Sequence, residues 1–494
     1  MSIDRKIFCG LLLWSVAVLM LMSPDSPIHG DWNHWDSAWF FMGGKAMMNG
    51  MRPYVDFTDS KGPLLWLIYG IGYLLSPRSY TGVYVLTCFV YAGIFYYNFK
   101  TARIFLKDNL RSLMVTVLMS IPYFLYWFHY LVRAEDFATL FVAASMYYLF
   151  HLLYNFEEKT YGIRSTGLVL GGSFMALLLI KYNIAAMQAS MILAALWYYF
   201  REQRQFWEPV KWLSAGTIIV ALPFVVYLLT MGSLVAFFDE YFLNTFRTLD
   251  YSGGHTDSYV VEFMKSLENP ARLTLLGVII FGWWLLSKQL KHYAYVPLLT
   301  GVFFYCVATK HNIDYYDGAC TIFAIYFLIG TLGGKEKPLR VVHLALAMTA
   351  ILSWGVFENI RDHSDLRKVV IWNDEDVKTA YNDVYDILAI VPQPKMMNLY
   401  SGELGFGLKA DALPAGKYWS YQYGSTPEME KEHIALLKSG KADFIIVSPE
   451  EQCNAKGFTS DVIESLGYVL CYQDSHDSGH YGEQRVAVYK KKGL

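Results

Sequence analysis

The chain has 494 residues, of which 54% are hydrophobic, 17% aromatic and only 17% charged, and its mean hydropathy is +0.27. An ordinary soluble domain carries roughly 25% charged residues, so a water-soluble enzyme, a disordered chain and a fibrous repeat are all excluded. The net charge of −2, from 41 basic and 43 acidic residues, leaves no overall basic field, and no nucleic-acid partner is expected. What remains is a polytopic membrane protein.

A helix needs about 20 mostly apolar residues to cross a bilayer, with roughly 17 as the lower end. The first such stretch is Ile7 to Met22, preceded by a short basic region. No small-x-small cleavage site follows it, so it reads as an uncleaved first span rather than a signal peptide. Further spans are expected at 79–98, 112–129, 134–154, 165–180, 183–200, 213–231, 273–287, 293–309, 318–333 and 339–357. The 36 apolar residues 165–200, broken at Lys181-Tyr182-Asn183, exceed one crossing and read as a hairpin. Pro63 to Leu75 has only 13 residues and reads as a re-entrant or interfacial segment.

Charge supports leaving that segment uncrossed. With 63–75 on the outer side, Lys100, Arg103, Lys107 and Arg111 fall in a cytoplasmic loop, as the positive-inside rule asks. The later turns agree: Lys159 and Arg164; Arg201, Arg204 and Lys211; Lys288 and Lys291; Lys335, Lys337 and Arg340. The expected fold is mainly α, with about 11 transmembrane helices, the N-terminus inside and the C-terminus outside.

Residues 1–357 form the membrane part, with a first outer loop at 23–78 that holds interfacial helices. Residues 358–494 read as a small extracytoplasmic α/β domain. Its expected helices are Asp374 to Ile390, Pro427 to Ser439 and Thr459 to Leu466. Its expected strands are Met396 to Tyr400, Asp443 to Val447, Tyr468 to Tyr472 and Arg485 to Tyr489. Cys9, Cys88, Cys306 and Cys320 lie in or beside spans and serve as small apolar residues. An oxidising outer compartment permits a disulfide between Cys453 and Cys471. No CxxC or His/Cys cluster points to zinc.

The polar chemistry concentrates in the first outer loop. Asp31, His34, Asp36, Asp56 and Asp59 stand there among Trp32, Trp35, Trp39 and Phe40. Trp39, Met42, Ala46 and Met47 recur at helical spacing after Asp36, which places Asp36 at the start of a short interfacial helix. A carboxylate there is also plain helix capping, and Asp56 and Asp59 also fit turns. Other polar residues fall at outer span ends: Arg133, Glu135 and Asp136; Lys181 and Asn183; Lys310, His311, Asp314, Tyr315, Tyr316 and Asp317. Ionisable residues at membrane depth are costly, and their convergence on one face points to a site. Taken singly, each also fits a snorkelling or ion-paired residue that fixes the bundle.

The run Asp36-Ser37, Gly43-Gly44-Lys45 and Asn49 to Leu65 (NGMRPYVDFTDSKGPLL) is similar to the first-loop pattern of bacterial GT-C glycosyltransferases. These are family 39-like membrane proteins related to protein O-mannosyltransferases and to the lipid A aminoarabinose transferase. Arg133-Ala-Glu-Asp136 and Lys181-Tyr-Asn183 extend the resemblance through the membrane part. The late turn departs from it: many relatives read His-Tyr followed by a proline, where this chain has Asp314-Tyr315-Tyr316-Asp317-Gly318.

The resemblance implies a GT-C bundle in the bacterial cytoplasmic membrane. It further implies that a sugar moves from a polyprenyl-phosphate donor to a hydroxyl of a lipid, glycan or protein acceptor on the outer face. Asp36 matches the family's first-loop acid and is the expected general base, with inversion at the anomeric carbon. The departing lipid phosphate calls for cations: Lys181, Arg133 and Lys61, then His311 and Lys310. Tyr54, Tyr315 and Tyr316 are expected to bond the donor phosphate or sugar, Asp56, Asp59 and Glu135 to orient those cations or the sugar hydroxyls, and Asn183 to stand among the donor-binding residues. A phosphate paired with Lys or Arg requires no metal, although some relatives use a divalent ion. The competing readings are a flippase for lipid-linked sugars, whose polar residues belong at the midplane of two related halves, and a non-catalytic envelope assembly protein.

Overall fold

In the computed structural model the described residues are 3–23, 26–28, 35–127, 133–154, 162–244, 247, 261, 264–265, 267, 270–287, 292–308, 318–324, 329, 375–399, 405–420, 427–447, 459–477 and 483–494. The helices are α1 (Ile3–Met22), α2 (Trp35–Met48), α3 (Pro63–Leu75), α4 (Thr81–Leu106), α5 (Asn109–Trp127), α6 (Ala134–Tyr154), α7 (Ile163–Ile180), α8 (Ala185–Tyr198), α9 (Trp207–Thr230) and α10 (Leu234–Phe237). They continue with α11 (Pro270–Ser287), α12 (His292–Ala308), α13 (Gly318–Thr321), α14 (Glu375–Leu388), α15 (Pro427–Lys438) and α16 (Ser460–Ser465). Helices α1, α4 to α9, α11 and α12 overlap the stretches expected as spans from 7–22 to 293–309, and of the stretch expected at 318–333 only 318–324 and 329 are described. The span expected at 339–357 and the domain boundary near 357 lie outside the described residues.

The protein is a multi-pass membrane protein. Among the described residues four helices, α4, α6, α7 and α9, combine the length and apolarity to cross a bilayer. Helix α9 shows why water is the wrong solvent: Ile218, Ile219, Leu222, Val226 and Leu229 are each at least half exposed. An apolar stripe of that extent costs free energy in water and none in lipid.

The chain divides into two compact units, each assembled from three stretches: residues 1–23, 87–224 and 257–370 in one, and 24–86, 225–256 and 371–494 in the other. In the first unit, helices approach through small residues, as expected where lipid removes the hydrophobic drive for helix association. Gly167 and Gly171 of α7 sit one turn apart against α9, and a Cβ at Gly171 would lie 2.0 Å from the Leu213 carbonyl oxygen. Gly216 of α9 answers from the facing side, with the Leu168 carbonyl 2.3 Å from its ideal Cβ. At one end of the bundle, Asp4 of α1 pairs with Arg103 (2.9 Å) and Lys100 (3.4 Å) of α4, so the start of α1 meets the end of α4.

In the second unit, α2 and α3 pack face to face. Leu65, Trp66 and Tyr69 of α3 are fully buried, and Phe40 meets Tyr69 edge-on at 5.5 Å. Gly44 makes the close approach: a Cβ there would lie 2.4 Å from the Gly70 nitrogen and 2.7 Å from the Tyr69 carbonyl carbon. Because those are backbone atoms, Gly44→Ala must push the helices apart. We expect a loss of at least 1–3 kcal/mol, roughly the cost of overpacking, measured as a lower midpoint of thermal unfolding in detergent.

The C-terminal stretch forms a five-stranded sheet in the order β2-β1-β3-β5-β4, with β1 Lys395–Asn398, β2 Leu413–Pro414, β3 Phe444–Val447, β4 Tyr468–Asp477 and β5 Glu483–Lys491. Strands β2, β1 and β3 are parallel, and β3, β5 and β4 antiparallel. Every residue of β3 is buried, as its unbroken Phe-Ile-Ile-Val run predicts for a central strand. Leu437 of α15 and Ile463 of α16 close one face over Met397, Ile445, Val447 and Ala487. The sequence anticipates these elements except β2, whose two residues include a proline, and it underestimates β4, which runs to Asp477. Cys471 on β4 carries a free thiol that donates to the Val488 carbonyl at 3.1 Å; its expected partner, Cys453, lies outside the described residues.

Candidate active site

The second unit holds the first loop. Asp36 lies half-buried in the first turn of α2, where the helix dipole favours a carboxylate. Beyond α2 the chain makes a tight turn. Tyr54 takes φ +65 there, and its amide donates to the Phe57 carbonyl at 2.7 Å. Its ring is fully buried against Trp66 and Phe237, and its hydroxyl donates to the Lys61 carbonyl at 2.9 Å. Burial pushes the Tyr54 phenol well above its ordinary pKa, so it remains a neutral donor.

Two of the loop carboxylates differ sharply. Asp56 is held in the turn by Arg52, whose side chain gives it a forked pair at 2.8 and 3.1 Å and whose amide adds a third bond at 2.8 Å. The Arg52 hydrogen bond holds the Asp56 carboxyl below its usual range. Asp59 is buried, with one oxygen accepting from the Ser60 amide at 2.5 Å; its other oxygen is buried without a hydrogen bond. Lys61 rests over the Phe40 ring at 5.4 Å and donates to the Ser60 hydroxyl at 2.9 Å.

The same unit contains a polar cluster that the sequence reading missed. After α10 the chain widens into a π-turn, Phe238–Leu243, that carries the buried Glu240. Such bulges recur at functional sites. Lys417 pairs with Glu240 at 2.6 Å, Tyr418 donates to it at 3.1 Å, and Asn244 donates to it at 3.0 Å. The Lys417 carbonyl in turn accepts from the Thr58 amide at 3.1 Å, which joins this cluster to the first loop. Burial, reinforced by Glu240, raises the Tyr418 phenol, and burial raises the neighbouring Glu432 carboxyl. His433 is fully buried and pushed down to about 4 by that burial, so it is neutral at pH 7.

In the first unit, the turn into α6 gathers four of the expected residues. Glu135 and Asp136 are buried in the first turn of α6. Asp136 reaches back to the Arg133 amide at 2.8 Å, a capping arrangement that satisfies one helix-end donor. Tyr91 of α4 donates to its other oxygen at 2.5 Å. Lys181, where α7 ends in extended backbone, forms a buried ion pair with Glu135. Asn183 follows in a short 3-10 turn with its side-chain oxygen buried and not hydrogen-bonded. His311, Tyr315 and Tyr316, the late turn of the sequence reading, lie outside the described residues.

No protein-family model matches the chain, and no curated protein does. Solved structures do. The crystal structure of ArnT from Cupriavidus metallidurans bound to undecaprenyl phosphate aligns with a TM-score of 0.60 at 11% identity, over 98% of this chain and 97% of that one. The same protein in the apo state gives 0.59 at 11% identity, over 98% and 97%. The arabinofuranosyltransferase AftD from Mycobacteria gives 0.52 at 11% identity, over 99% of this chain and 42% of that one. Identity this low leaves the fold as the common property. That fold is GT-C: a helical membrane part with a small sheet-bearing C-terminal part.

Proposed function

We propose that this chain is an integral-membrane glycosyltransferase. It moves a sugar from a polyprenyl-phosphate donor to a hydroxyl acceptor on the outer face of the bacterial cytoplasmic membrane. The observation that carries the reading is the first loop. There a half-buried carboxylate, Asp36, opens a helix, and the turn beyond it presents Lys61 and the buried Asp59, all within one compact unit. The GT-C fold supports it, since ArnT, which shares that fold, was determined with undecaprenyl phosphate bound.

The chemistry is a single displacement. The acceptor oxygen attacks the anomeric carbon, the bond from that carbon to the phosphate oxygen breaks, and the configuration inverts. Asp36 takes the acceptor's proton as attack proceeds. The polyprenyl phosphate leaves as a monoester with growing negative charge; Lys61, in the same compact unit as Asp36, is suited to meet it, and Lys181 and Arg133 are the other candidate cations. The protein's own cations carry that charge in this scheme, and no metal is required. The sheet-bearing C-terminal part and the N-terminus lie on opposite sides of the membrane.

The test is transfer by the purified full chain in lipid nanodiscs, using polyprenyl-phosphate-linked hexoses and pentoses with envelope lipid, glycan and protein acceptors. Acceptor-dependent release of free polyprenyl phosphate is expected. Movement of a labelled donor across proteoliposomes with no product formed would replace this reading with transport.

A further inference from the structure

The helix that carries Asp36 in its first turn carries Lys45 in its last. The two are nine positions apart, about 13.5 Å of helix at 1.5 Å per residue. Lys45 is fully buried. Its ammonium donates to the Gly407 carbonyl at 3.0 Å and pairs with Asp411 at 3.4 Å. Both belong to the turn that precedes β2, more than 360 residues along the chain. Two aromatic rings, Phe41 and Tyr73, flank the ammonium at 5.6 and 5.8 Å. The turn also touches α2 through apolar atoms: an ideal Cβ at Gly407 would stand 3.3 Å from the Met42 methyl, and 3.0 Å from that of Met396 on β1.

A second strap holds the same end. Asn49, just past α2, donates back to the Lys45 carbonyl at 2.9 Å. Gln393 donates both to Asn49 at 3.3 Å and to Asp411 at 3.1 Å.

We propose that Lys45 is a positioning residue: by seating the end of α2 on the 405–411 turn, it sets the place of Asp36 and makes the C-terminal part of the chain a component of the reaction site's frame. The proposal rests on the reading of Asp36 as the general base.

Stability alone does not account for such a lysine. A buried ion pair is a poor source of stability next to apolar residues of the same volume, because desolvation offsets the attraction. Here burial lowers Lys45 from 10.5 to about 8; Asp411 opposes that shift and Arg78 adds to it. The folded protein therefore binds fewer protons than the unfolded chain between about 8 and 10.5, and this residue's contribution to stability is least below about 8 and grows as pH rises through that window. At neutral pH the charged lysine costs stability. What it supplies is direction, through a donor aimed at one carbonyl with one carboxylate in ion-pair range.

The test uses the full chain in nanodiscs with Lys45→Met combined with Asp411→Asn, so that no unpaired charge remains buried. Hydrogen exchange of residues 35–42 is expected to rise at least about tenfold, while the unfolding midpoint stays at or above that of the parent. The turnover number should fall at least about tenfold and KM for the lipid donor should hold, since a 1 Å misplacement costs on the order of 10²-fold. Unchanged exchange, or raised exchange with unchanged turnover, overturns the proposal. So does a turnover that falls only in step with the folded fraction. If the parent chain transfers no sugar from any donor, the glycosyltransferase reading fails, and raised exchange in the variant still supports the seating of α2.

Discussion

Asp36→Asn is expected to lower sugar transfer by roughly 10²–10⁴-fold, the usual worth of a positioned general base, with little change in the KM for the lipid donor. The substitution separates two roles that one carboxylate can play in the first turn of a helix. Asparagine keeps the shape and the hydrogen-bonding capacity of this first-turn side chain, so the start of α2 survives. It loses the charge–dipole term, about 0.3–1 kcal/mol at a helix N-terminus, which a melting curve in detergent would register as a small shift. It also loses the ability to accept a proton from the acceptor hydroxyl. A pure capping role therefore predicts small effects on both stability and rate, and a base predicts a small effect on one and a collapse of the other. Asp36→Ala should match the asparagine variant in rate and fall below it in stability. Transfer within about threefold of the parent in a folded Asp36→Asn protein, against the expected 10²-fold or more, would remove Asp36 from the mechanism.

The parts of this arrangement that were legible in the sequence are those whose signal is local. Apolar length placed the helices, and 13 residues between Gly62 and Ser76 were enough to mark α3 as too short to cross. Arg133, Glu135, Asp136 and Lys181 stood out because ionisable groups in apolar surroundings are costly, and the structure brings all four to one end of α6. Lys45, Glu240, Lys417 and Tyr418 were missed because their burial depends on partners far along the chain: 362 residues from Lys45 to Gly407, and 178 from Glu240 to Tyr418. Traces of them were present. Lys45 falls four residues after Phe41 and three after Met42, on the apolar side of α2, and Asp239-Glu240 interrupts a run of Phe and Tyr. A charge on an apolar stripe is a buried charge awaiting a partner, and periodicity can flag it without saying who the partner is. The first-loop motif had the converse weakness. It treats Asp56 and Asp59 alike, whereas Arg52 occupies the first and the second has a buried oxygen to spare.

The buried pair of Lys181 and Glu135 carries the largest expected effect on stability, and its two variants answer a question about function. Lys181→Met removes the ammonium paired with Glu135, a carboxylate about 5% exposed and next to the equally buried Asp136. Removing one partner of a buried pair costs about 3–5 kcal/mol, because the remaining charge is stranded. The unfolding midpoint should drop by several degrees or the protein should fail to accumulate. The double variant Lys181→Met/Glu135→Leu removes both charges and fills similar volume, so most of that loss should return. Stability and transfer then part company. If the pair only fixes the bundle, transfer recovers along with the midpoint. If Lys181 also faces the donor phosphate, the stable double variant remains slow, because the cation that met the leaving charge is gone. A double variant that regains both its midpoint and its rate would reassign Lys181 from the phosphate to the frame, and leave Lys61 and Arg133 as the leading cations, with His311 and Lys310 after them.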